Sequence, residues 1–122
     1  MPDSADWSAL LGWIRAMCSA DAAFLIDRRG LLVASSGDIA SDRAEGMGAR
    51  LVLAFEHADR MEDASQRSRS MVIDFGSGVL TGIRIPLPEG ETLFLGIASR
   101  ELPDLETRVE VERALTRRAT AL

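Results

Sequence analysis

Few residues in this chain have chemistry that could be put to work. There is one histidine, His57, and one cysteine, Cys18. Neither has the soft-ligand neighbours a zinc site needs, so no metal site is expected. His57 falls on the outward side of a helical pattern and reads as a solvated or interface histidine. Cys18 lies on an apolar stripe and reads as an inert core thiol rather than a nucleophile. The basic side chains are all arginine apart from His57, which removes Schiff-base chemistry and the lysine of a phosphate loop. Ser35-Ser36-Gly37-Asp38 could turn its amides toward an anion, but it lacks the glycine spacing of a phosphate loop and reads as a plain connection. Arg28 and Arg29, beside Gly30, could reach a phosphate or a carboxylate, or simply form a solvated turn tip. The carboxylates are scattered over helix surfaces and form no acid–base pair. No catalytic residue, cofactor or metal ligand is assigned, and the chain is not expected to be an enzyme.

Composition narrows the setting. At 122 residues the chain is long enough for one domain, spanning residues 1–122, and too short for two. A formal net charge of −5 disfavours nucleic acid and anionic membrane as general partners. A lone cysteine cannot close an internal disulfide, which fits a reducing, cytoplasmic setting. The start, MPDSADW, has no basic-then-apolar leader pattern, and no apolar run approaches the ~20 residues that cross a bilayer.

The elements follow from periodicity. Ala22 to Asp38 holds two apolar runs, Ala23–Ile26 and Leu31–Ala34, joined by Asp27-Arg28-Arg29-Gly30. Gly30 can adopt the positive φ of a tight hairpin turn, and Asp27 can hydrogen-bond nearby backbone. Both runs are apolar on successive residues, which predicts a sheet covered on both faces. Before them, Asp3 to Ser19 reads as a helix with Trp7, Leu10, Leu11, Ile14, Met17 and Cys18 on one stripe. Trp13 sits at its edge, and Asp3, Ser4 or Asp6 is available as a cap. After a loop at Ser35–Asp38, the spacing predicts a long helix from Ser41 to about Met61, with Ser41 as its cap and Asp42 and Glu45 in its first turn. Its inner face is Ala44, Met47, Gly48, Leu51, Ala54, Phe55 and Ala58.

A polar loop, Glu62 to Arg69, leads to a strand at Ser70–Phe75 with Met71, Ile73 and Phe75 on one side and Val72 and Asp74 on the other. Gly76-Ser77-Gly78 and Pro88-Glu89-Gly90-Glu91 are hairpin turns leading into strands Val79–Leu87 and Thr92–Arg100. Pro103 then opens a last helix whose buried side is Leu105, Val109, Leu115, Ala119 and Leu122. The expected fold is α+β, an α/β sandwich. A five-stranded antiparallel sheet in the order α-β-β-α-β-β-β-α carries one long helix on one face and two on the other.

What remains is surface. Gly46, Ala49, Leu53, His57 and Arg60 run along the outer face of the long helix, flanked by Val52 and Glu56. An outward leucine beside small residues would let another helix approach. The strand with Met71, Ile73 and Phe75 is an expected sheet edge with no proline or lysine to block pairing. A single exposed leucine is common by itself, but the agreement of helix and edge favours an interface.

The element order, together with A-x-L-I-D-x-x-G-L-L-V-A-S-S-G at Ala23–Gly37, resembles the roadblock/dynein-light-chain family and its bacterial MglB-like members. Asp27, Gly30, Ala34, Ser35 and Gly37 carry the most specific part. The resemblance implies a homodimer in which the long helices lie side by side and the third strands join into one sheet. It implies a Ras-like small GTPase as partner, whose hydrolysis is stimulated without a donated catalytic residue, or which is scaffolded. The interface positions are then Gly46, Ala49, Val52, Leu53, Glu56, His57, Arg60, Met71, Ile73 and Phe75. Two other readings are a small-molecule sensory module, which requires a concave apolar cavity, and a structural subunit of a larger complex.

Overall fold

A computed structural model describes residues 4–61 and 67–121. The elements are α1 (Ser4–Met17), β1 (Ala22–Asp27), β2 (Leu32–Gly37), α2 (Ser41–Met61), β3 (Ser70–Asp74), β4 (Val79–Pro86), β5 (Thr92–Ser99) and α3 (Leu105–Thr120). The strands form one antiparallel sheet in the order β2-β1-β5-β4-β3. This is the expected α+β architecture. Residues 62–66 of the polar loop, the side chains of the α1 cap candidates Asp3, Ser4 and Asp6, and Leu122 lie outside the described residues and side chains.

The sheet separates two cores. On one face Trp7, Leu11, Ile14 and Cys18 of α1 and Val111, Leu115 and Ala119 of α3 pack on Ala23, Leu25, Ile83, Leu95 and Ile97. On the other, α2 alone supplies Ala44, Leu51, Val52 and Phe55 against Phe24, Ile26, Leu80 and Phe94. Two strand glycines make room, one for that helix and one for a β1 ring. Gly82 and Gly96 stand opposite each other in β4 and β5. A Cβ on Gly82 would come 2.5 Å from Leu51 Cδ1, and one on Gly96 would come 2.3 Å from the Phe24 ring.

The hairpin turn forms as its residues require. Gly30 has φ +86°, and Asp27 Oδ1 accepts hydrogen bonds from the Arg29 and Leu31 amides at 2.9 and 3.0 Å. The two strands differ in cover, however. β1 is buried on both faces, whereas β2 is a sheet edge in which Ala34 alone is fully buried. Ser35–Gly37, expected as a loop, belongs to β2, because Ala22, Ala23 and Phe24 offer Gly37, Ser36 and Ser35 a ladder that outweighs their turn-like composition.

Three helix boundaries also move. α1 stops at Met17 because Ser19 takes φ +50° and Ala20 N–H turns back to the Arg15 carbonyl. Met17, expected on the buried stripe, is 41% exposed. α2 begins with Ser41 already helical, the Ala44 amide donating to the Ala40 carbonyl, so Ser41 is not the cap. Pro103 precedes α3 rather than opening it. Asp104 is the N-cap, with its Oδ1 accepting from the Thr107 amide at 2.7 Å. That start sets the helix face so that Val111, Leu115 and Ala119 point inward and Leu105 is exposed.

Candidate interaction surface

The long helix α2 presents two different sides. Its inner side sits close on the sheet because Gly48 has no side chain: a Cβ there would lie 2.6 Å from Ile26 Cδ1. Along the opposite side Gly46, Ala49, Leu53, Glu56, His57 and Arg60 are exposed, Leu53 by 55%. Nothing lies within 4 Å of a Cβ placed on Gly46. Ala49 faces the hairpin turn, where a Cβ placed on Gly30 would lie 3.4 Å from it. Val52 does not belong to this surface. It is 6% exposed and part of the core under α2, because it shares the inward arc with Leu51 and Phe55.

The end strand β3 lies beyond α2 at the sheet edge. Met71 and Ile73 are half-buried against the α2 core, while Val72 points to the other face and is 41% exposed. Phe75 lies just past the end of the strand, beside Arg43, Gly46 and Met47 of α2. β3 ends at Asp74, whose Oδ1 accepts from the Gly76 amide, and the Phe75 amide donates to the Gly78 carbonyl. The Phe75 ring is 59% exposed.

The two elements are tied together by a group that sequence inspection misses. Near the end of α2, Asp59 Oδ1 accepts from the Ser68 amide and hydroxyl at 3.0 and 2.9 Å, just before β3. Asp59 Oδ2 accepts from Arg84 Nη2 of β4 at 2.7 Å, and Arg67 stands 3.6 Å away. The Arg84 guanidinium lies 5.1 Å from the centre of the Phe55 ring and 5.9 Å from that of Phe94. Desolvation raises the Asp59 pKa, but the Ser68 hydrogen bonds and the Arg84 guanidinium outweigh it and hold the carboxyl at about 2. These residues are far apart in the chain, and no local spacing announces the pairing. Beside them opens a cleft of about 850 Å³, walled by Phe55, Ile85 and Phe94 and rimmed by Arg28, Glu56 and Arg69.

The remaining candidates for chemistry are structural. Arg29 binds Asp27 at 3.3 Å and locks its own turn. Burial pushes the Cys18 thiol up, with the Asp104 carboxylate adding to it, so little thiolate forms at neutral pH. Among the described residues no group of His, Cys, Asp and Glu is placed to hold a metal ion. No described helix is long and apolar enough to cross a membrane. What the geometry offers is contact: an exposed helix side, an unpaired strand edge and a rigid tie between them.

No protein-family model matches the sequence, and no curated protein matches it. Solved structures do match in three dimensions. The gliding protein MglB from Thermus thermophilus superposes with a TM-score of 0.78 at 16% identity, covering 100% of this chain and 94% of that one. A structure described as MglB with tetrameric arrangement gives 0.77 at 16% identity, covering 99% and 93%. A Roadblock/LC7 domain from Streptomyces avermitilis gives 0.72 at 16% identity, covering 93% and 94%. This chain has the roadblock/MglB-like fold.

Proposed function

We propose that the chain, acting as one domain over residues 1–122, is a homodimeric, cytoplasmic regulator or scaffold of a Ras-like small GTPase. The observation that carries this reading is the pairing of an exposed α2 side, Leu53 at its centre, with an unpaired β3 edge. Asp59, near the end of α2, accepts hydrogen bonds from Ser68, just before β3, and from Arg84 of β4. Two copies joined by that helix side and strand edge would cover Leu53 and complete the hydrogen bonding of β3. The joined helices would form a platform that favours the hydrolysis-competent arrangement of the GTPase switch segments, a population shift needing no reactive group from this chain. The likeness in fold to structures described as MglB supports this reading, including one with a tetrameric arrangement. Single-turnover GTP hydrolysis by Ras-like small GTPases of the same organism tests it. Hydrolysis is expected to accelerate with the wild type and not with Leu53→Arg. An equal rate with and without the protein, together with no co-sedimentation, contradicts it.

The cleft beside Arg84 favours one second reading, a ligand-binding module using the same sheet. A ligand seated between Phe55, Phe94 and Ile85 would raise the melting temperature in proportion to its occupancy.

A further inference from the structure

The core takes one tryptophan of α1 and leaves the other out. Trp7 is fully buried, whereas Trp13 is 39% exposed and Met17, four residues on, is 41% exposed. With the half-buried Leu10 they stand at i, i+3 and i+7, the spacing of a seam that packs along a second helix. α3 runs beside α1 in the opposite direction. Beyond burial, what raises the Cys18 thiol is the Asp104 carboxylate, so the end of α1 lies near the start of α3. Toward their other ends the Arg118 guanidinium lies 5.8 Å from the centre of the Trp7 ring. Between the two helices Leu10, Trp13, Ala114, Arg117 and Arg118 line an open hollow of about 550 Å³. α3 sets no large apolar side chain against Trp13 there, only Ala114 and two arginines, so the seam is unfilled.

Charge selects what fits. In a chain of net charge −5, the charged groups among the described residues of this hollow are both arginines. Arg117 is exposed and has no ion pair among the described residues, and Glu110, on the same side of α3, is matched to Arg113 at 3.2 Å. Tryptophan and arginine side by side are the residue types that concentrate binding energy where proteins meet. A basic helix would set like charges against the guanidinium groups. A helix with leucines on one face and carboxylates beside them fills the seam and meets Arg117 on its fork. We propose that the valley between α1 and α3 is a docking site for an acidic amphipathic helix of a partner protein, its apolar face on Leu10, Trp13 and Met17 and its carboxylates on Arg117 and Arg118. The valley lies across the sheet from α2, and none of its residues belongs to the α2 side or to β3. It therefore goes beyond the paired-platform reading and does not depend on it.

The test titrates the full chain with a peptide in which the heptad Leu-Ala-Glu-Leu-Glu-Ala-Glu occurs twice, read by tryptophan emission, indole N–H chemical shifts and anisotropy. Trp7 is already buried, so a blue shift of emission reports Trp13. That shift, and movement of the Trp13 indole N–H, are expected with this peptide and not with counterparts carrying lysine for every glutamate or serine for every leucine. Trp13→Gln and Arg117→Glu should each weaken binding by about fivefold or more, while Leu53→Arg leaves it unchanged. Both side chains are exposed, so a circular-dichroism melt of each variant should match wild type. Equal binding of the lysine or the serine peptide overturns the proposal, as do an unmoved Trp13 indole, indifference to both substitutions, or no binding at all. Self-association that Trp13→Gln abolishes and Leu53→Arg does not assigns the valley to a second copy of the chain and overturns it as well.

Discussion

Asp59 is the residue on which the described surface turns. Its side chain is 17% exposed and that of its partner Arg84 only 12%, so the pair is not a solvated surface contact of negligible worth. Removing one member leaves the other desolvated, with Phe55 and Phe94 still around the guanidinium. Asp59→Asn is expected to destabilise the protomer by about 2 kcal/mol in urea unfolding at neutral pH. The pH dependence has a definite sign. A carboxyl held at about 2 when folded and near 4 when unfolded contributes stability that is complete above the unfolded value. That stability is lost as the pH falls through the folded one, because the unfolded chain then binds the proton more readily. Stability of the wild type should therefore drop by up to about 2 kcal/mol between pH 5 and 2 from this group. Asp59→Asn should lack that portion of the drop, and the two curves should converge at acid pH. Parallel curves would show that the carboxylate is not held as described.

At the level of elements, the glycines of α2 do opposite things. Gly48 faces Ile26 at a distance no Cβ can share, so Gly48→Ala is expected to cost about 1–3 kcal/mol despite its better helix propensity. Gly46 faces open space, and Gly46→Ala should stabilise an isolated protomer by roughly 1 kcal/mol. If Gly46→Ala stabilises the protomer yet weakens self-association, the glycine is kept for what lies against it. Thermal melts at low and high protein concentration separate the two effects.

These elements also show what the sequence makes legible. Most of the α1 and α2 stripes, the Asp27–Gly30 turn and the three-stranded meander depend on local spacing and form where that spacing places them; Met17 does not. Val52 and Leu105 show its limit. Each lies about a hundred degrees around its helix from its neighbour, and only the neighbouring sheet decides which side of the boundary it joins. Ser35–Gly37 is polar and turn-like, and becomes strand because β1 provides a ladder. The Asp59–Arg84 tie joins distant parts of the chain and carries no periodic signal. Leu53 is legible as an outward position because hydrophobic patterning is local; the polar partners are not, because they are set by topology.

Taken whole, the molecule is a sheet with both faces covered, β2 and β3 at its edges, and β3 preceded by Ser68, which is hydrogen-bonded to Asp59 of α2. Its inventory of reactive groups is small, and the arrangement is suited to contact. Leu53→Arg places a charge at the centre of that contact without touching either core, so it should leave the urea midpoint of the protomer within about 0.5 kcal/mol of wild type. The most direct test is sedimentation equilibrium of the wild type and Leu53→Arg at micromolar concentration. The account predicts a wild-type mass of twice 13.2 kDa and a variant mass of 13.2 kDa. A wild type that sediments as a single 13.2 kDa protomer, indistinguishable from the variant, contradicts it.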